Sequence, residues 1–217
     1  MLTDLELIRL FHNTACRNTV GSDTQYGVVE TEDELIVMFP GSNSVVDWKI
    51  NFHFWKRPYH NMPEFYTVHS GFIREWKEIE NFFLSLVRDT TKTITIVGHS
   101  YGGAMAILMA EDVWFTYPER RNKIRLVTIG APRVYGWLGI HVVRKRFPHA
   151  TLYWNSMDIV PCVPLFTMGY CHPVRRTHIG SRFSLRGIFS CGSDHGVGRY
   201  ISSLEALEES IQSSDEV

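Results

Sequence analysis

No apolar run in this chain approaches the roughly 20 residues that a bilayer-spanning helix needs, which excludes a transmembrane helix. Repeats, low-complexity tracts and a linker that would split the chain are also missing, so residues 1–217 are expected to form a single domain. There is no excess of charge. The 22 Lys and Arg nearly balance 23 Asp and Glu, and a formal net charge of −1 gives no general attraction for nucleic acid or an anionic membrane. Any such partner needs a local patch. Cysteine is sparse: Cys16, Cys162, Cys171 and Cys191 make no C-x-x-C pair and no zinc-like spacing with histidine. Free thiols are expected, with one bridge among the last three left open. Nothing in the sequence calls for a metal or an organic cofactor. The N-terminal Met-Leu-Thr-Asp-Leu-Glu carries acids where a secretory leader carries lysine or arginine. A cytoplasmic protein is expected, or a secreted one if a leader was removed.

What is present is concentrated at residues 93–105. Thr93 to Val97 are rich in β-branched side chains and run into Gly98-His99-Ser100-Tyr101-Gly102, and the helix-favouring Ala104 to Ala110 follows. Strand, G-x-S-x-G, then helix is the context in which that pattern reads as a nucleophile elbow. So sharp a turn holds the serine in a strained backbone conformation with its hydroxyl presented. Side chains two before and two after it would collide with each other and with the neighbouring strand. Gly98 and Gly102 remove that collision. The positive end of the following helix favours an oxyanion beside the serine. The competing reading is a glycine-rich strand-to-helix turn with a capping serine.

Periodicity around the elbow predicts an amphipathic helix over Leu2 to Ala15 and two strands, Gln25 to Glu30 and Glu34 to Phe39, joined by a polar turn. Further helices are predicted at Gly71 to Val87, Tyr135 to Phe147 and His195 to Gln212, and further strands at Lys123 to Ile129 and Thr151 to Trp154. Residues 42–67 are dense in aromatics and residues 155–192 are irregular; neither follows a helical or strand period. Strands alternating with helices give an α/β fold: a mostly parallel central sheet flanked by helices, with an antiparallel pair near the N-terminus.

A serine hydroxyl needs a base to take its proton. In α/β-hydrolases the order is Ser, then Asp or Glu, then His, on loops after later strands. His195, just before the last helix, is where the base loop should be, with His172 and His178 as rivals. Asp158, past the strand ending near Asn155, is the candidate to orient the base and stabilise the imidazolium. Asp194 is its rival, with capping the last helix as its expected role. For the oxyanion hole, one donor is the backbone N–H of Tyr101. The other is Ser42, in a Pro40-Gly41-Ser42 turn that also reads as an ordinary turn.

Taken together, Phe39-x-Gly41-Ser42 with Asp47-Trp48, Val68-His69-Ser70-Gly71-Phe72, Gly98 to Ala104, Gly130-Ala131-Pro132-Arg133-Val134, Asn155-x-x-Asp158-x-Val160-Pro161, and His195 with Tyr200 resemble the class 3 lipase family, of α/β-hydrolase fold. The resemblance runs from about Val37 to Tyr200. It implies Ser100, Asp158 and His195 as a triad and Ser42 with Tyr101 as oxyanion donors. It also implies hydrolysis of acylglycerols or related lipid esters without a cofactor. The sequence departs from the family pattern at Pro40, where many members carry arginine, and at Asn51, where many carry an acid. Val45 to Phe54 shows no evident helical lid.

Trp48, Phe52, Phe54, Trp55, Leu165 and Phe166, with His99 beside the serine, are candidates to line the acyl site; ordinary core is the alternative for each. Arg175, Arg176, Arg182 and Arg186 form a basic cluster that reads either as a solvated loop or as a contact for phosphate headgroups. The expected function is a lipid ester hydrolase meeting its substrate at a membrane or droplet surface, with no nucleic-acid partner. A phospholipase, a short-chain esterase, an acyltransferase and a non-catalytic binding protein are the alternatives.

Overall fold

The computed structural model describes residues 1–21, 24–41, 55–59, 66–138, 140–181 and 193–215. In chain order the elements are α1 (Asp4–Asn13), β1 (Asn18–Val20), β2 (Thr24–Glu30), β3 (Glu34–Phe39), β4 (Lys56–Pro58), β5 (Thr67–His69) and α2 (Ser70–Val87). There follow β6 (Thr93–His99), α3 (Tyr101–Thr116), β7 (Ile124–Ile129), β8 (Tyr135–Gly136), α4 (Ile140–Arg144), β9 (Ala150–Asn155), β10 (Tyr170–Cys171), β11 (Thr177–Ile179) and α5 (Val197–Asp215).

The main sheet has the order β1-β2-β3-β6-β7-β9-β11. From β3 to β11 the pairing is parallel, while β2-β3 is the expected antiparallel pair, which β1 extends by a further antiparallel strand. Both faces of the sheet are covered, so its central strands read as near-continuous apolar runs. The two-residue period still sorts their side chains. Ile36 and Met38 of β3 join Leu5, Ile8 and Phe11 of α1 and Leu204 of α5 on one face. Leu35, Val37 and Phe39 join Phe72 and Trp76 of α2 and Met105 of α3 on the other. The start of α1 is held by a capping box, in which Thr3 N–H donates to Glu6 and Glu6 N–H to Thr3 Oγ1.

The second sheet was not foreseen. It is a small antiparallel one, of order β10-β8-β5-β4, and no strand in it exceeds three residues. It replaces the first part of the helix expected over Tyr135 to Phe147. Tyr135 and Gly136 are extended and pair with Val68, Cys171 and Tyr170. The helix runs only from Ile140 to Arg144, and Gly136, which opposes helix, lies in the strand before it.

Helix α3 is buried all round from Gly102 to Val113, including Glu111 and Asp112. Those two carboxylates are satisfied by partners from other elements. Tyr66 Oη donates to Glu111 at 2.6 Å, and Arg146 forms a close ion pair with Glu111. Trp76 Nε1 donates to Asp112 at 2.6 Å, and Tyr59 Oη donates to it as well. Burial raises the pKa of both acids, that of Asp112 to about 6. Removing the cation while leaving the anion in place is the costly change. Arg146→Ala is therefore expected to destabilise the fold by about 3–5 kcal/mol in urea unfolding. The double variant with Glu111→Gln should recover part of that loss.

Candidate active site

Strand β6 delivers Ser100 to the start of α3 with φ 57° and ψ −126°, a conformation that L-residues rarely adopt. The collision foreseen from the sequence is present. A Cβ on Gly98 would overlap the carbonyl oxygen of Gly102, and one on Gly102 would overlap the carbonyl oxygens of Phe39 and Pro40 at the end of β3. Ser100 N–H donates to Ile129 O of β7 at 3.1 Å, which ties the turn to the strand on its other side. Tyr101 is the first residue of α3, so its backbone N–H lies at the helix's positive end. Gly41 lies against this turn: a Cβ there would be 3.2 Å from Ser100 Cβ and 3.1 Å from His99 Nδ1.

Asp158 lies just beyond β9, is 1% exposed, and its carboxylate takes part in three hydrogen bonds. Val160 N–H donates to Oδ1 at 2.9 Å, while His195 Nδ1 and Tyr200 Oη reach Oδ2 at 2.8 and 2.6 Å. A carboxylate that accepts a hydrogen bond from Nδ1–H sets the tautomer of His195 and leaves Nε2 as the basic nitrogen. His195 ends a short 3₁₀ turn, Ser193–His195, just ahead of α5. Gly130 (φ +64°) makes room for the pair, since a Cβ there would come within 2.9 Å of the His195 ring and 3.0 Å of Asp158 Oδ2. Ser100 Oγ and His195 Nε2 are both buried, and neither has a hydrogen-bond partner among the described residues.

His99 joins the serine turn to the base loop. Its Nε2 lies 2.7 Å from His195 O and its ring centroid 4.6 Å from that of His195. Burial, with the repulsion of a charged His195, lowers its pKa to about 4. It is therefore neutral at pH 7 and donates from Nε2 to the carbonyl.

The rival residues are engaged elsewhere. His172 Nε2 bonds Pro161 O at 2.8 Å, and burial lowers its pKa to about 3. His178 Nε2 bonds Ser156 O at 3.1 Å. Asp194 accepts Met157 N–H at 3.3 Å, and α5 begins only at Val197, so bracing this loop replaces the capping role expected of it. The support from Tyr200 had no sign in composition or period; the family resemblance alone pointed to it. Leu165, Phe166 and Trp55 are exposed. Ser42, Trp48, Phe52, Phe54, Arg182, Arg186 and Cys191 lie outside the described residues. Cys16, Cys162 and Cys171 are free thiols. Among the described residues no group of His, Cys, Asp or Glu is placed to hold a metal ion, and no helix is long and apolar enough to cross a membrane.

Residues 36–168, which span the elbow and the Asp158 loop, match the model of the family described as lipase (class 3). The chain belongs to that family. Among curated relatives, a lipase of Rhizopus oryzae is 28% identical over 70% of this chain and 41% of its own length. Among solved structures, lipase II from Rhizopus niveus superposes with a TM-score of 0.67 at 26% identity, over 73% of this chain and 62% of that one. A triacylglycerol lipase whose catalytic centre is described as a serine protease triad gives a TM-score of 0.64 at 26% identity, over the same shares of the two chains. These neighbours establish the α/β-hydrolase fold for the class 3 lipase chain. It spans about two fifths of the length of the curated relatives that it matches first.

Two outcomes are expected. His99 takes up a proton in the unfolded chain near pH 6.5 but in the folded one only near pH 4. Its contribution to stability is thus complete above 6.5 and is lost as pH falls through that window. The unfolding free energy of wild type minus that of His99→Gln should decline over the window, and a pH-independent difference would contradict the assignment. Tyr200→Phe removes one donor from the Asp158 carboxylate and should cost about 1.5–3 kcal/mol of stability in denaturant unfolding.

Proposed function

We propose that this chain is a serine carboxylic-ester hydrolase of lipid esters, residues 1–217 forming one hydrolase domain, with Ser100 as nucleophile, His195 as base and Asp158 as its orienting acid. The observation that carries the reading is the Asp158 carboxylate, buried and bonded to His195 Nδ1 at 2.8 Å, in a family member whose Ser100 sits at a strained strand-to-helix turn. Ser100 Oγ attacks the ester carbonyl as His195 Nε2 takes its proton. The charge that develops on the carbonyl oxygen falls at the positive end of α3, where the Tyr101 N–H donates. Ser42 supplies the second donor in this scheme. The protonated His195 gives its proton to the leaving alcohol, then activates the water that releases the acid. Asp158, fixed by Val160 and Tyr200, stabilises the imidazolium in both steps.

Class 3 lipase membership and the aromatic density of residues 48–55 support a lipid acyl group as the substrate. The test is turnover of a panel of p-nitrophenyl esters of increasing chain length beside acylglycerols and phospholipids. Ser100→Ala should lower kcat by about 10⁴-fold or more, with its fold intact by circular dichroism. Full activity in that variant, or failure of an active-site phosphonate to label Ser100 in the wild type, overturns the reading.

A further inference from the structure

The exposed apolar side chains of this protein are unevenly distributed, and so is its charge. Trp137, Leu138, Leu165 and Phe166 are each at least half exposed, and they belong to two neighbouring segments. The rings of Trp137 and Phe166 meet edge to face at 5.6 Å, and Trp137 N–H donates to Gly169 O at 3.0 Å. The loop bearing Leu165 and Phe166 follows Asp158 directly, and Arg133 holds it in place by donating to the carbonyls of Cys162 and Pro164. Arg133 lies three residues after Gly130, which touches both His195 and Asp158. The apolar patch therefore stands at the same end of the sheet as the candidate active site.

Cations border this patch. Among the described residues from Pro132 to Ser181, Arg144, Lys145 and Arg175 are exposed, and the single acid there, Asp158, is buried. Lys56 Nζ bonds Met168 O at 2.7 Å on one flank. Burial pushes the Cys171 thiol up, and the charges of Arg144, Arg133 and Lys56 nearby oppose that rise. On the other flank Arg175 and Arg176 line an open cleft of about 650 Å³ with Ile159 and Cys162. Among the described residues, Lys56, Arg144 and Arg175 form no salt bridge. Apolar side chains ringed by uncompensated cations fit a surface that offers hydrocarbon beneath negative headgroups.

We propose that this face docks on an anionic phospholipid bilayer and turns the Ser100 end of the sheet toward it. The inference rests on the ester-hydrolase reading for its purpose, because it is the hydrolase that needs lipid at that end. The net charge of −1 does not oppose it, since fields act locally within a Debye length. Leu165 and Phe166, expected from the sequence to line the acyl site, here enter the lipid themselves.

The test is flotation of the Ser100→Ala protein with vesicles of phosphatidylcholine alone and of phosphatidylcholine mixed with phosphatidylserine. Partition is expected to favour the mixed vesicles and to weaken with salt. Trp137→Ser with Leu138→Ser should reduce partition by about tenfold or more on both vesicles. Arg144→Glu with Arg175→Glu should remove the preference for phosphatidylserine, by about fivefold per arginine. Carried on the wild-type serine, both pairs should leave turnover of a soluble short-chain p-nitrophenyl ester unchanged. Equal partition onto the two vesicle types, or binding that the variants do not alter, overturns the proposal. So does absence of vesicle binding with self-association that Trp137→Ser and Leu138→Ser abolish, which would make a second copy the occupant. No ester turnover with vesicle binding intact would instead sink the hydrolase reading and leave the docking surface standing.

Discussion

The carbonyl oxygens of Phe39 and Pro40 occupy the space that a side chain at position 102 would need. That steric constraint governs the middle of the molecule. Because position 102 is glycine, α3 can start against the end of β3, and Ser100 is left at the junction with its strained φ of 57°. The strain persists because the surroundings over-determine it: β3 and β7 clasp the turn from both sides, and α3 continues it without a break. The loop that follows β3 is brought against the serine by the same close approach, through Gly41.

Much of this was legible in the sequence because it followed from local rules. The elbow combines strand propensity, glycine spacing and a helix start within 13 residues. The parallel sheet was visible in its longer strands, β3, β6, β7 and β9, which are six or seven residues long and rich in apolar or β-branched side chains. Asp158 and His195 followed from chain order, and the structure joins their side chains in a hydrogen bond.

What was not legible is held by partners distant in sequence. The strands β4, β5, β8, β10 and β11 have two or three residues each, too few to show a period. Tyr135 has the neighbours of a helical residue in sequence and those of a strand in space, and tertiary pairing prevailed. Asp194 reads in sequence as a cap for the last helix, but that helix starts only at Val197, and the Asp194 carboxylate accepts the Met157 N–H of the loop after β9 instead. The link from His99 to the His195 carbonyl spans 96 positions, and no spacing rule reaches that far.

The polar cluster at Glu111 and Asp112 has a consequence for where motion can occur. These acids lie on the same helix as the nucleophile, some ten residues farther along it. They are gripped by Tyr59, Tyr66, Trp76 and Arg146, while the other end of the helix is wedged against β3. A rod fixed at both ends cannot slide or tilt without unsealing buried charge. The serine is thus anchored in place at the wedged end of that rod.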